Sequence, residues 1–245
     1  MLLDLLLAGV GIIAGSVAAV AGFGIGSLLT PVLALQAGTK LAVAAVAIPH
    51  VIGTAQRFWL LRRHADWRVV RSFGLMSAIG GLAGAFLQTR ATGRALETVF
   101  GLLLILAGIT ELTGWMQGVR WGRRTAWVAG ALSGALGGLV GNQGGIRTAA
   151  MLGYDVPKES FVATATAIAL LVDAARLPVY LVTQGREIAG LWSHVLIATG
   201  AVVVGTLVGR HILGRLSQLV FRRVIALLLL ALGLYMLLSR SSGAS

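Results

Sequence analysis

The chain has 245 residues, of which 57% are hydrophobic and only 11% charged, with 34 glycines, a formal net charge of +12 and no cysteine. Soluble domains carry about a quarter charged residues, so a water-soluble fold is excluded, as the mean hydropathy of +0.90 also requires. Without cysteine, disulfides, thiolate catalysis and Cys-ligated metals are excluded. The basic residues sit in short clusters between apolar runs, as in positive-inside loops, which argues against nucleic acid as the partner.

In chain order, the apolar runs predict spans over 5–36 (broken at 22–27), 41–61, 70–88 and 96–114. A second set follows over 125–152 (broken at 141–145), 159–182, 188–208 and 218–238. Such runs are long enough to cross a hydrocarbon core of about 30 Å. The N-terminus lacks the basic region and cleavage site of a signal peptide, so residues 5–21 read as mature structure. The fold class is therefore an all-α polytopic membrane protein.

The two sets of spans repeat each other. Residues 11–61 align without a gap onto 130–180, so that Gly15, Gly22, Gly26 and Arg57 recur as Gly134, Gly141, Gly145 and Arg176. Further on, Gly93-Arg94 and Val99-Phe100 recur as Gly214-Arg215 and Val220-Phe221. We read 1–118 and 119–245 as two membrane repeats within one integral domain.

Loop charge sets the topology. If each broken segment crosses once, the Lys/Arg residues divide nine against eight, with no bias. If each broken segment enters and leaves by the same face, each repeat has three crossings and the repeats are inverted. The division then becomes twelve against five, with Arg57, Arg147 and Arg176 left out because they lie within spans. The rich face includes Arg62, Arg63, Arg68, Arg71 and Lys158; the poor face holds Lys40, Arg90, Arg94, Arg186 and Arg240. The positive-inside rule makes the rich face cytoplasmic. The expected fold is thus two inverted repeats, each with one re-entrant segment and three transmembrane helices.

The breaks carry the chemistry. Gly22, Gly24 and Gly26 mark the first; Asn142, Gln143, Gly144, Gly145 and Arg147 mark the second. Non-helical backbone at membrane depth needs protein or a wet cavity around it. A helix that restarts there offers unpaired N–H groups and a positive dipole end to an anion. Packing of small residues between continuous helices is the competing explanation, but Asn142 and Gln143 supply polar groups that packing does not need. The glycine pattern at 22–26 lacks a βαβ context, so a dinucleotide site is rejected.

Away from the span ends, Arg57, Arg147 and Arg176 outnumber one acid, Asp173. Asp173 and Arg176 are three apart and share a helix face, so they can pair; repeat one has Thr54 and Arg57 at the equivalent places. The surplus of positive charge matches a small anion as substrate, with snorkelling of Arg57 and Arg176 as the alternative. Thr164 and Thr166 are candidates to line the pathway, with back-bonding to the previous turn as their default. His50, His64, His194 and His211 have no metal-ligand spacing, so no metal or cofactor is expected. Pro49 should kink the helix that carries His50, and the tryptophans near span ends suit an interfacial belt.

The chain resembles the TauE/SafE (sulfite exporter) membrane transporter family. The resemblance rests on Gly22-Phe23-Gly24-Ile25-Gly26-Ser27 with Pro31 beyond it, on Asp66-Trp67-Arg68, and on Gly141 to Gly145 with the Lys158 loop. The first break lacks the run of three glycines common in that family. The resemblance implies a plasma-membrane carrier of small, often sulfur-containing anions such as sulfite, thiosulfate or organosulfonates.

The expectation is therefore a secondary transporter, not an enzyme, working by alternating access at a midplane site between the broken helices. Its partners are a small anion and membrane lipid, with proton coupling and a homo-oligomer left open. The competing function is a channel, or a cation- or proton-coupled carrier for another small solute. A cation pathway should show unpaired acids deep within the spans, and the only acid more than a turn from a span end, Asp173, has Arg176 beside it.

Overall fold

A computed structural model describes residues 1–114, 123–142, 144, 147, 151, 158–213 and 218–238. The described residues fold as helices: α1 (Leu2–Ala21), α2 (Ile25–Leu61), α3 (Trp67–Arg90), α4 (Gly93–Thr113), α5 (Arg123–Val140), α6 (Lys158–Gly190), α7 (Trp192–Leu213) and α8 (Gln218–Leu238). Among them, six are long and apolar enough to cross a membrane. The all-α membrane fold expected from composition is what forms.

Caps and glycines set the ends. Asp66 accepts from the Arg68 amide at the start of α3, and Thr92 accepts from the Ala95 amide at the start of α4. α1 stops because Gly22 takes φ 82° and donates its N–H to the carbonyl of Ala18. α5 stops in the same way, with Gly141 at φ 75° bonded to Gly137. Only glycine enters this left-handed region without a steric penalty.

The first break is confined to 22–24. The expected linker at 37–40 is also present: α2 (Ile25–Leu61) consists of two helical stretches that meet at Gly38, whose φ 73° and ψ 157° are not helical. Backbone dihedrals stay helical at Pro49, where a kink is expected, and the left-handed φ at Gly38 is tolerated because no Cβ opposes it.

Side-chain bonds define two faces. On one, Gln88 bonds the carbonyl of Lys40 and receives a bond from Gln184, and Lys40 reaches the carbonyl of Thr89. α6 leaves through this face, and α7 turns back from it, where His194 lies 3.6 Å from Asp4 at the start of α1. On the other face, Asp66 donates its N–H to Thr164 near the start of α6. α1 and the first part of α2 therefore form a hairpin with both ends on the Gln88 face. Beyond Gly38, α2 runs across to the Asp66 face, α3 returns, and α6 and α7 run in the opposite order.

The halves are interleaved. α1 lies parallel to α7, with Gly11 against Ala201 and Gly15 against Val202; α5 lies parallel to α3, with Gly134 against Ser77 and Gly138 against Gly81. Glycine at each crossing lets backbones touch, as helices packed in lipid require. Buried apolar side chains gather in one large cluster around α1, α2 and Leu104, and a smaller one around Phe73 and Ile168. The exposed side is apolar too, with Trp59, Trp67, Trp127 and Trp192 among its large residues; Trp115 and Trp121 lie outside the described residues.

Candidate functional site

The two breaks meet. Gly26, already helical in the first turn of α2, lies directly against the carbonyl oxygen of Gly141, and Gly144 packs on the Phe23 side chain. Gly24 (φ 129°) precedes the helix start and rests on Val17. Asn142 is buried beside Gly141. Gln143 and Gly145 lie outside the described residues.

The paired arginines tie this junction down. Arg57 donates Nη1 to the carbonyl of Ala18 (2.8 Å), Nη2 to that of Gly22 (3.4 Å) and Nε to Thr166 Oγ1 (2.9 Å). Arg176 donates Nη1 to the carbonyl of Gly137 (2.7 Å), and its Nε and Nη2 hold Asp173 Oδ1 at 2.9 and 2.8 Å. In both halves an arginine 39 residues further on satisfies a carbonyl in the last turn of the helix before the break. Each of those carbonyls also accepts the N–H of the capping glycine, Gly22 or Gly141, so the guanidinium is its second donor, and a cation at a helix C-terminus suits the dipole. Tyr180 adds a hydroxyl bond to the carbonyl of Gly138.

Arg147 differs from the other two. It is 3% exposed, donates Nη2 to the carbonyl of Gly22 at 3.3 Å, and has no partner at Nε or Nη1 among the described residues. Buried polar groups are normally hydrogen-bonded, and a buried charge without partners is costly. Among the described residues, the buried charged side chains are Arg57, Arg147, Arg176 and Asp173, three positive against one negative. The acid is on Arg176, so the surplus lies at Arg57 and Arg147.

The structure brings together Gly22, Gly24, Gly26, Gly144, Arg57 and Arg147, with Asp173 and Arg176 bracing Gly137 behind Gly141. It does not bring in Thr164, which accepts from the Asp66 N–H at the α2–α3 loop; Thr166, one face further round, meets Arg57 instead. Outside the expected set, His50 points Nδ1 at Asp173 Oδ2 at 2.7 Å. Its place after Pro49 in mid-span was the only sequence signal for it. An apolar groove of about 930 Å³ between α3 and α5, lined by residues such as Ile79, Trp127 and Leu132, holds no polar side chain and suits lipid rather than an anion.

The model of the sulfite exporter TauE/SafE family matches residues 7–236. The chain belongs to the TauE/SafE family. It is a membrane transporter rather than an enzyme, and its apolar helices make it a multi-pass protein of the plasma membrane. No curated protein and no solved structure matches it. The TauE/SafE match runs through both breaks and both bracing arginines, so the junction falls inside the matched region.

Proposed function

We propose that this TauE/SafE protein is a secondary transporter of small sulfur-containing anions, sulfite, thiosulfate or an organosulfonate, which it binds where the two breaks meet. The observation that carries this reading is the buried Arg147, with Nε and Nη1 unpartnered and its Nη2 on the same carbonyl as Arg57. An oxyanion supplies the acceptors that these donors lack, in the fork geometry that guanidinium favours. The first-turn N–H groups of α2 at Gly26 add a dipole of the right sign. Asn142 and Gly144 form the other wall, while Asp173 and Arg176 shape it and Thr164 holds the loop above.

Alternating access is the mechanism that such a site supports. In our reading 1–118 and 119–245 are inverted repeats. In favour are the matched arginine bonds, the opposite directions of α3 and α7, and the exchange of α1 onto α7 and α5 onto α3. The loop-charge bias then makes the Asp66 face cytoplasmic.

Thermal unfolding of the purified protein with sulfite, thiosulfate, sulfoacetate and unrelated anions tests the reading, paired with flux into proteoliposomes. Sulfur oxyanions should stabilise the protein and be transported. Transport of cations with no dependence on any of these anions would reject it.

A further inference from the structure

Among the described residues, His50 is a titratable group at the junction that anion binding does not account for. Its imidazole sits on α2 in half one, yet its partner, Asp173, is on α6 in half two. Asp173 Oδ1 already accepts from Arg176, and Oδ2 faces His50 Nδ1 at 2.7 Å. A carboxylate held by a guanidinium has only acceptor capacity left, so Nδ1 carries the proton in that bond. The free lone pair of the neutral ring is then on Nε2.

The Nε2 edge faces the breaks. The neighbouring ring atom, Cδ2, stands 3.8 Å from where a Cβ on Gly26 would be, and Gly26 lies against the carbonyl of Gly141. The His50 side chain is 12% exposed, unlike Asp173 at 0%, so a proton has a way to the ring. The charged and titratable groups around it, among the described residues, are Asp173, Arg176 and Tyr180 on α6, Arg57 on its own helix, and Arg147 across Gly22.

We propose that His50 is a proton-binding site coupled to the anion: Nε2 takes up one proton as the anion occupies the adjoining junction, and the two move together. The proposal rests on the anion-site reading above. In the empty protein, a proton on Nε2 would add a further positive charge beside Arg57 and Arg147. With an anion present, that charge meets its opposite and the new N–H gains an acceptor. By linkage the help is mutual, so the anion raises proton affinity as much as the proton raises anion affinity. Asp173 keeps the ring oriented by holding Nδ1, as carboxylates commonly do for working histidines.

The test uses the full chain in proteoliposomes with the membrane potential clamped at zero and thiosulfate as the probe, because its charge does not change across the range studied. Trials run between about pH 5 and about pH 8, the window in which an imidazole changes charge. With one proton per anion, thiosulfate should accumulate on the alkaline side by about tenfold per pH unit of gradient, and a pH dye should register protons entering with it. His50→Asn keeps a donor for Asp173 and cannot take up a proton. Its ratio of uptake with and without the gradient should fall to about one, a readout that a general loss of rate does not imitate; His50→Gln serves if the asparagine variant does not fold.

Wild-type thiosulfate exchange that ignores the pH gradient would overturn the coupling while leaving the anion carrier intact. A gradient response preserved in both His50 variants would overturn the assignment to this residue. No exchange of any sulfur oxyanion by the wild type would remove the underlying reading as well.

Discussion

Arg147 and Arg57 reach the same acceptor, the carbonyl oxygen of Gly22, at 3.3 and 3.4 Å, from positions in different halves of the chain. Two guanidiniums on one carbonyl repel each other, and no acid among the described residues lies between them. The arrangement is costly in the empty protein, and in the proposed reading an arriving anion relieves that cost. That difference in free energy is what a binding site needs.

Replacing Arg147 should therefore separate binding from stability. In Arg147→Gln the empty protein should melt at or above the wild-type temperature, because an uncompensated buried charge has gone. Anion affinity should fall by roughly tenfold to a hundredfold, from the ~1.5–3 kcal/mol typical of hydrogen bonds to charged groups. Thermal melts with and without thiosulfate measure both. A lower melting temperature with unchanged affinity would assign Arg147 to structure alone.

The Asp173–Arg176 pair should behave in the opposite way. Asp173→Asn leaves a buried guanidinium without its counter-charge, and loss of about 3–5 kcal/mol is expected. Adding Arg176→Gln in the same protein should recover much of that loss. Denaturant titration in detergent reads the cycle, and equal stabilities for single and double variants would contradict the pairing.

Close approach of helices gives a third test. A Cβ at Gly134 would overlap the backbone of Ser77, whereas one at Gly9 meets no atom within 4 Å. Gly134→Ala should cost about 1–3 kcal/mol through forced separation of α3 and α5. Gly9→Ala should be neutral or mildly stabilising, since alanine is the better helix former. Unfolding curves of the two variants decide the matter.

At the loop between α2 and α3, the Arg68 side chain and amide hold the Asp66 carboxyl below the ordinary carboxylate range. A group depressed in this way stabilises the fold above its unfolded value, about 3.9, and loses that contribution as pH falls through the lower folded value. Hydrogen exchange at the start of α3 should rise on acidification through that interval. Asp66→Asn, which still caps, should blunt the pH dependence; an identical profile in wild type and variant would show that Asp66 is not its source.

Much of this was legible in the sequence, for physical reasons. The ends of α1 and α5 were marked because a left-handed cap needs glycine, and Asp173 with Arg176 because three residues along a helix bring side chains to one face. The linker at Gly38-Thr39-Lys40 was marked by its composition, and Gly38 turns the chain there between the two helical stretches of α2. Other features were hidden. Thr164 and Thr166 are equivalent by composition, and only the rotation of α6 decides that Thr166 meets Arg57 while Thr164 meets Asp66. His50 and Asp173 are 123 residues apart, and no local periodicity reports a contact over that distance.

The crossing of α1 onto α7 also has a consequence for synthesis. Gly11 and Gly15 fit only against residues in α7 (Trp192–Leu213), so α1 enters the bilayer long before its partner exists. At roughly 5–20 residues per second, the nascent chain holds α1 without α7 on the order of ten to forty seconds. During that interval its small-residue stripe is open to the insertion machinery, to chaperones and to the wrong helix, which makes the biogenesis of this carrier a problem of waiting as well as of folding.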